Sequence, residues 1–171
     1  MKLSLEEKQK LIDIYSSFYH DERILKMKEI PMHRGSNCFL HSFRVAKLSI
    51  KRALRHRHVD LETILIASIL HDYYLYDWRK NRELRKGHGK NHPFIAARKA
   101  KEDFNISDSV SKTIETHMWP FNIKRFPKTK EARIVANTDT HVATIEALSC
   151  HKHKEKRMDQ YYKKIESLFD L

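Results

Sequence analysis

The residues with the most chemistry to offer in this 171-residue chain are its twelve histidines and a few acids set among apolar side chains. His41, Val45 and Leu48 stand at i, i+4 and i+7, which puts one imidazole on the apolar face of a helix. Val135, Asp139, Val142 and Glu146 follow the same rule, and so do Val110, Ile114 and His117. An inward carboxylate such as Asp139 is costly to desolvate unless a cation meets it. A fourth segment, TILIASIL over residues 63–70, is apolar nearly all round and runs straight into the pair His71-Asp72. Four helices therefore aim imidazole or carboxylate groups at one interior, which is how helical bundles assemble metal sites from N and O ligands. Any one of these side chains is better explained as a hydrogen-bonded core histidine or a buried ion-pair partner. Jointly they point to a metal.

The elements that must position these groups read as helices. Only Gly35, Gly87 and Gly89 occur as glycines, and no stretch alternates with period two between hairpin turns, so the pattern predicts an all-α, single-domain bundle over 1–171. Ser4 with Glu7 forms a capping-box signal ahead of Leu11, Ile14, Tyr15 and Phe18, placing a first helix before Pro31. A second is expected from Cys38 to Leu54, and the third is the buried run into the doublet. From Trp78 to His92 the sequence WRKNRELRKGHGKNH loses periodicity and gains two glycines, which reads as a basic loop or lid. Pro93 then suits the first turn of a fourth helix to Phe104, Asp108 the cap of a fifth to Met118, and Glu131 to Ser149 a sixth. A last helix is expected to end near Phe169.

Composition excludes several classes. The 34 lysines and arginines against 22 acids give a net charge of +12, with 40% hydrophobic and 33% charged residues. No apolar run approaches the roughly 18 residues of a membrane span, and the N-terminus MKLSLEEKQKLIDIYSSFYH lacks the apolar core of a secretory signal, so the mature chain is expected to begin at Met1. Cys38 and Cys150 are too few for a disulfide framework, which makes a reducing cytoplasm the expected compartment.

The order His41, His71-Asp72, Asp139 resembles the HD domain superfamily of metal-dependent phosphohydrolases. HSFRVAKLS around the first histidine is similar to the family's H-x-x-R-V-A-x-L, the doublet stands in LIASILHDY, and ARIVANTDTHVATIEA is similar to I-V-x-x-A-D. The similarity covers about residues 38–148. It implies an all-α fold and a divalent metal held by His41, His71, Asp72 and Asp139. His92 in NHPFIAA and His117 in ETHMWP match positions used by the two-metal members, where Asp72 would bridge the ions. His88, four residues before His92, is an alternative ligand. HDYYLYDW, HPFIAARKA and HMWPFN look like a bacterial group of small single-domain HD proteins. The superfamily's nucleoside monophosphate phosphatases carry an acid where this chain has Leu75. Its diadenosine polyphosphate hydrolases carry a lysine where this chain has Tyr74 or Leu75.

One or two divalent ions, Mn, Fe, Co, Ni or Zn, suit mixed His and carboxylate ligands. Water activated on such an ion would attack phosphorus, with Asp72 central to catalysis. Arg44, one turn from His41, is a candidate for holding phosphoryl oxygens, equally well read as the partner of an acid on a neighbouring helix. Lys80, Arg82, Arg85 and Lys86 in the basic lid are further candidates for binding a phosphorylated substrate, for which a nucleotide is expected. The alternative is a basic nucleic-acid- or nucleotide-binding regulatory module without catalysis. Its charge would bind polyanions nonspecifically at low salt, although no helix-turn-helix, zinc-finger or RNP signature is present.

Overall fold

The computed structural model describes residues 3–32, 36–80 and 82–148. Among them the chain forms seven α-helices and no strand beyond an isolated antiparallel bridge between Pro31 and Asn37, in agreement with the all-α expectation. No helix among the described residues is long and apolar enough to cross a membrane.

Helix α1 spans Leu5–His20 and opens with the capping box, Glu7 N donating to Ser4 Oγ at 3.1 Å and Ser4 N to Glu7 Oε2 at 2.8 Å. A short α2, Glu22–Leu25, and a 3₁₀ turn, Lys26–Glu29, drop Ile24 and Met27 into the interior. Asn37 then caps α3, Cys38–Ala53, and Asp60 caps α4, Leu61–Leu70, accepting from both Glu62 N and Thr63 N. Because α4 is apolar on every side it can sit at the centre, and it packs against α1, α3, α5, α6 and α7. Ile64, Leu65, Ile69 and Leu70 are fully buried there. Its C-terminus delivers His71 and Asp72 into the middle of the protein.

Helix α5 spans Arg82–Phe104, which corrects the expected loop over most of 78–92 and the expected start at Pro93. Residues 82–86 are exposed on all faces, so no apolar periodicity marks them, while Glu83, Leu84, Arg85 and Lys86 all favour helix. Gly87, Gly89 and Pro93 weaken the helix locally, but burial of His92, Ala96, Ala97 and Ala100 holds the segment in place. Helix α6, Asp108–Glu115, is capped by Ser107 rather than Asp108 and stops short of Met118. Both residues are good capping types, and the Ser107 side chain accepts from Val110 N. Helix α7 spans Lys130–Leu148. The helix expected near Phe169 lies outside the described residues.

The central position of α4 sets a stability expectation. Leu65→Ala empties a fully buried site and is expected to cost about 2–5 kcal/mol, whereas Ser4→Ala removes an exposed cap at about 1 kcal/mol. Urea unfolding at fixed metal content measures both, and a larger loss for Ser4→Ala would contradict this assignment of the core.

Candidate metal centre

Six predicted residues converge. His41 comes from α3, His71 and Asp72 from the end of α4, His92 from α5, His117 from just beyond α6 and Asp139 from α7. Each helix turns its apolar stripe inward, and the ligand-type side chain rides on that stripe: Val45 and Leu48 are buried with His41, and Val135 and Val142 with Asp139. All six side chains are buried.

They form two groups. In the first, His41 Nε2 lies 2.9 Å and His71 Nε2 3.5 Å from Asp139 Oδ1. In the second, His92 Nε2 and His117 Nε2 lie 3.3 and 3.8 Å from Asp72 Oδ1, and 2.9 Å from each other. Asp72 joins the two, because its other oxygen, Oδ2, lies 3.4 Å from His71 Nε2 and 4.0 Å from His41 Nε2. Ligand atoms at about 2.1 Å from one ion stand roughly 3–3.5 Å from one another, so both groups have the dimensions of a coordination shell.

The outer ring nitrogens fix the tautomers. His71 Nδ1 faces Ser68 O, His92 Nδ1 faces His88 O and His117 Nδ1 faces Ile114 O, each at 2.8 Å. A carbonyl oxygen only accepts, so each Nδ1 carries a proton and Nε2 is the nitrogen left to bind an ion once it is deprotonated. Consequently, with both rings neutral, His92 and His117 point two acceptors at each other across 2.9 Å, an arrangement relieved by a metal ion or a shared proton between them. His71 Nε2 is buried with no hydrogen-bond partner in normal geometry. Only His41 differs, its Nδ1 lying 3.0 Å from the Glu146 carboxylate, which Arg44 Nη1 grips at 2.8 Å.

Electrostatics separate the groups. Burial disfavours charge on His41, but the Asp139 and Glu146 carboxylates outweigh it and raise its pKa to about 9. His71 is likewise raised, Asp72 and Asp139 overcoming its burial. His117 is pushed down to about 3 by burial and by the neighbouring His92 and His71. Asp72 and Asp139 stay ionised despite burial because imidazoles surround them.

The centre opens onto a cavity of about 440 Å³. His41, Asp72, His92, His117 and Asp139 form its floor, while Trp78, Arg79, Met118 and Phe121 contribute to the walls. Arg44 is absent from this lining and reaches Glu146 and Ser36 instead, which is the ion-pair alternative noted for it. Lys80, Arg82, Arg85 and Lys86 also lie outside the lining, because the helical course of α5 carries the last three along an exposed face. His88 does not take the place of His92 in the second group; it stacks on that ring at 4.5 Å and on Trp78 at 5.0 Å. Two residues escaped assignment from sequence. Glu146 was legible as inward-facing, but its bond to His41 crosses 105 positions, and Arg79 resembled every other cation of the lid.

A family model described as HD domain matches residues 38–144, and the chain belongs to that family. HD domains are in general metal-dependent hydrolases acting on phosphorylated substrates, and the buried His and Asp groups here are able to hold a metal. Neither the curated proteins nor the solved structures contain a match to the chain.

Glu146→Gln is expected to weaken metal affinity about 10–100-fold while leaving every direct ligand in place, by loss of the carboxylate that orients His41. A competition titration against a chelator measures it. Since His41 near pKa 9 is protonated at pH 7.5 in the metal-free protein, metal uptake there should release protons, and less uptake should occur as pH falls. Calorimetry in buffers of different ionisation enthalpy reads the proton count, and zero release would contradict the raised pKa.

Proposed function

We propose that the protein is a divalent-metal-dependent phosphohydrolase with a two-ion centre. His41, His71, Asp139 and one Asp72 oxygen would hold one ion, and His92, His117 and the other Asp72 oxygen the second. The observation that carries this reading is the pair of Nε2 atoms facing each other at 2.9 Å beside Asp72, with both Nδ1 protons committed to carbonyls. Divalent ions bound there would lower the pKa of water toward about 7 and neutralise phosphoryl charge. The chain's own side chains do the rest. Asp72 keeps both groups at one separation, and Glu146, braced by Arg44, orients His41, so Arg44 acts in positioning rather than on substrate. The enclosing walls limit water around the reacting phosphoryl group. The substrate is a phosphate ester or anhydride of a small molecule, with a nucleotide as the leading class, and Mn, Fe, Co, Ni or Zn all suit the donors.

A second reading, a basic polyanion-binding module, is favoured by one observation. A separate groove of about 730 Å³ is lined by Lys112, Lys124, Arg125 and Lys128. Binding there would proceed by counterion release and collapse between low and physiological salt, whereas turnover would track metal content.

Elemental analysis of untagged protein reloaded with manganese or iron tests the first reading. Close to two ions per chain are expected in the wild type, close to one in His117→Ala, and loss of metal and phosphohydrolase turnover in Asp72→Asn. An absence of metal after reloading would sink the enzyme and leave the binding module.

A further inference from the structure

The cavity walls contain a cation whose placement the metal centre does not explain. Arg79 is the one lysine or arginine among the described residues lining the cavity. Its main chain is pinned on both sides, Arg79 N donating to Asp77 Oδ1 at 3.0 Å and Arg79 O accepting from Arg85 Nη2 at 2.9 Å. The side chain is held loosely by comparison. Nη1 reaches Met32 O at 3.3 Å, Nε stands 3.5 Å from Asp77 Oδ1, and Nη2 is buried with no acceptor at all. A guanidinium offers five donors in a planar fork, and an unused buried donor is a standing cost that an incoming acceptor relieves. Because its two contacts are near the long limit of hydrogen bonding, the fork turns at little cost toward an anion in the cavity.

The remaining walls say what that anion is attached to. Met32, Trp78, Met118, Phe121 and Ala143 make this side of the cavity apolar, and Trp78 stacks on His88 at an interplanar angle of 17°, as His88 does on His92 at 20°. A chain of several phosphates would need several cations along these walls, and among the described residues there is one. We propose that Arg79 is the substrate's phosphoryl clamp, and that the substrate carries one phosphoryl group directly attached to an apolar or aromatic moiety seated against Trp78, Met118 and Phe121. This rests on the phosphohydrolase reading and moves its substrate away from a nucleotide, whose phosphoryl group is borne on a polar sugar. Arg79 takes the non-bridging oxygens not engaged at the metal centre, and the apolar walls take the leaving group.

The test uses the manganese-loaded full chain as wild type, Arg79→Ala, Arg79→Lys and, as a control for overall charge, Arg55→Ala, an exposed cation outside both cavities. Metal content is measured beside calorimetric binding of inorganic phosphate and hydrolysis of p-nitrophenyl phosphate and of tripolyphosphate. Arg79→Ala should keep its metal and lose phosphate affinity tenfold or more, with a matching rise in KM for the aryl ester. Arg79→Lys should retain part of the affinity, since it keeps the charge without the fork, and Arg55→Ala should match the wild type. The wild type should prefer the aryl ester to tripolyphosphate. Unchanged phosphate affinity in Arg79→Ala, loss of its metal, or a preference for tripolyphosphate overturns the clamp while the phosphohydrolase stands. A metal-loaded wild type that neither binds phosphate nor hydrolyses either compound overturns both.

Discussion

The structure is organised around one buried carboxylate. Asp72 sits where an isolated charge would be strongly disfavoured, and it remains ionised because four imidazoles surround its two oxygens. Those imidazoles come from α3, the end of α4, α5 and the segment after α6, so the carboxylate ties together elements distant in sequence. The arrangement needs a helix apolar enough to carry an acid to the centre. Helix α4 does this, being apolar on all sides and surrounded by its neighbours.

The groups behind the candidate ligands matter as much as those side chains themselves. Three histidines spend Nδ1 on backbone carbonyls close in sequence, within three or four residues, so their ring orientation is settled by local helix geometry. His41 has no such local carbonyl and depends on Glu146, which depends in turn on Arg44. The two halves of the centre therefore differ in charge. One is rich in carboxylate and raises its histidines; the other holds a histidine of depressed pKa. Metal binding at the first half would therefore displace protons from its histidines.

The cavity above the centre is shaped by the long α5. By continuing as helix through Gly87, Gly89 and Pro93, it places His88 one turn before His92, so that the two rings stack and extend a column to Trp78. The same course turns Arg82, Arg85 and Lys86 along an exposed face. A segment rich in positive charge thus contributes to the cavity chiefly through aromatic rings, Arg79 and the bond by which Arg85 holds the Arg79 carbonyl.

Much of this was legible from the residues alone. Helical periodicity separated the faces of α3, α6 and α7 and identified the inward-facing His41 and Asp139, because burial imposes a repeat that sequence records directly. The resemblance to two-metal HD proteins, carried at this position by NHPFIAA, added His92. What sequence could not assign were contacts between distant elements: the Glu146 bond to His41, the diversion of Arg44 away from the cavity, and the selection of Arg79 from among the cations of residues 79–90. The helical course of residues 82–92 was hidden for a related reason. Its first turns are exposed on every side, so their hydrophobic pattern carries no signal, and the stability of the segment comes from Ala96, Ala97, Ala100 and His92 packing further along. Periodicity reports which face of a helix is buried, whereas tertiary packing alone decides which buried groups meet.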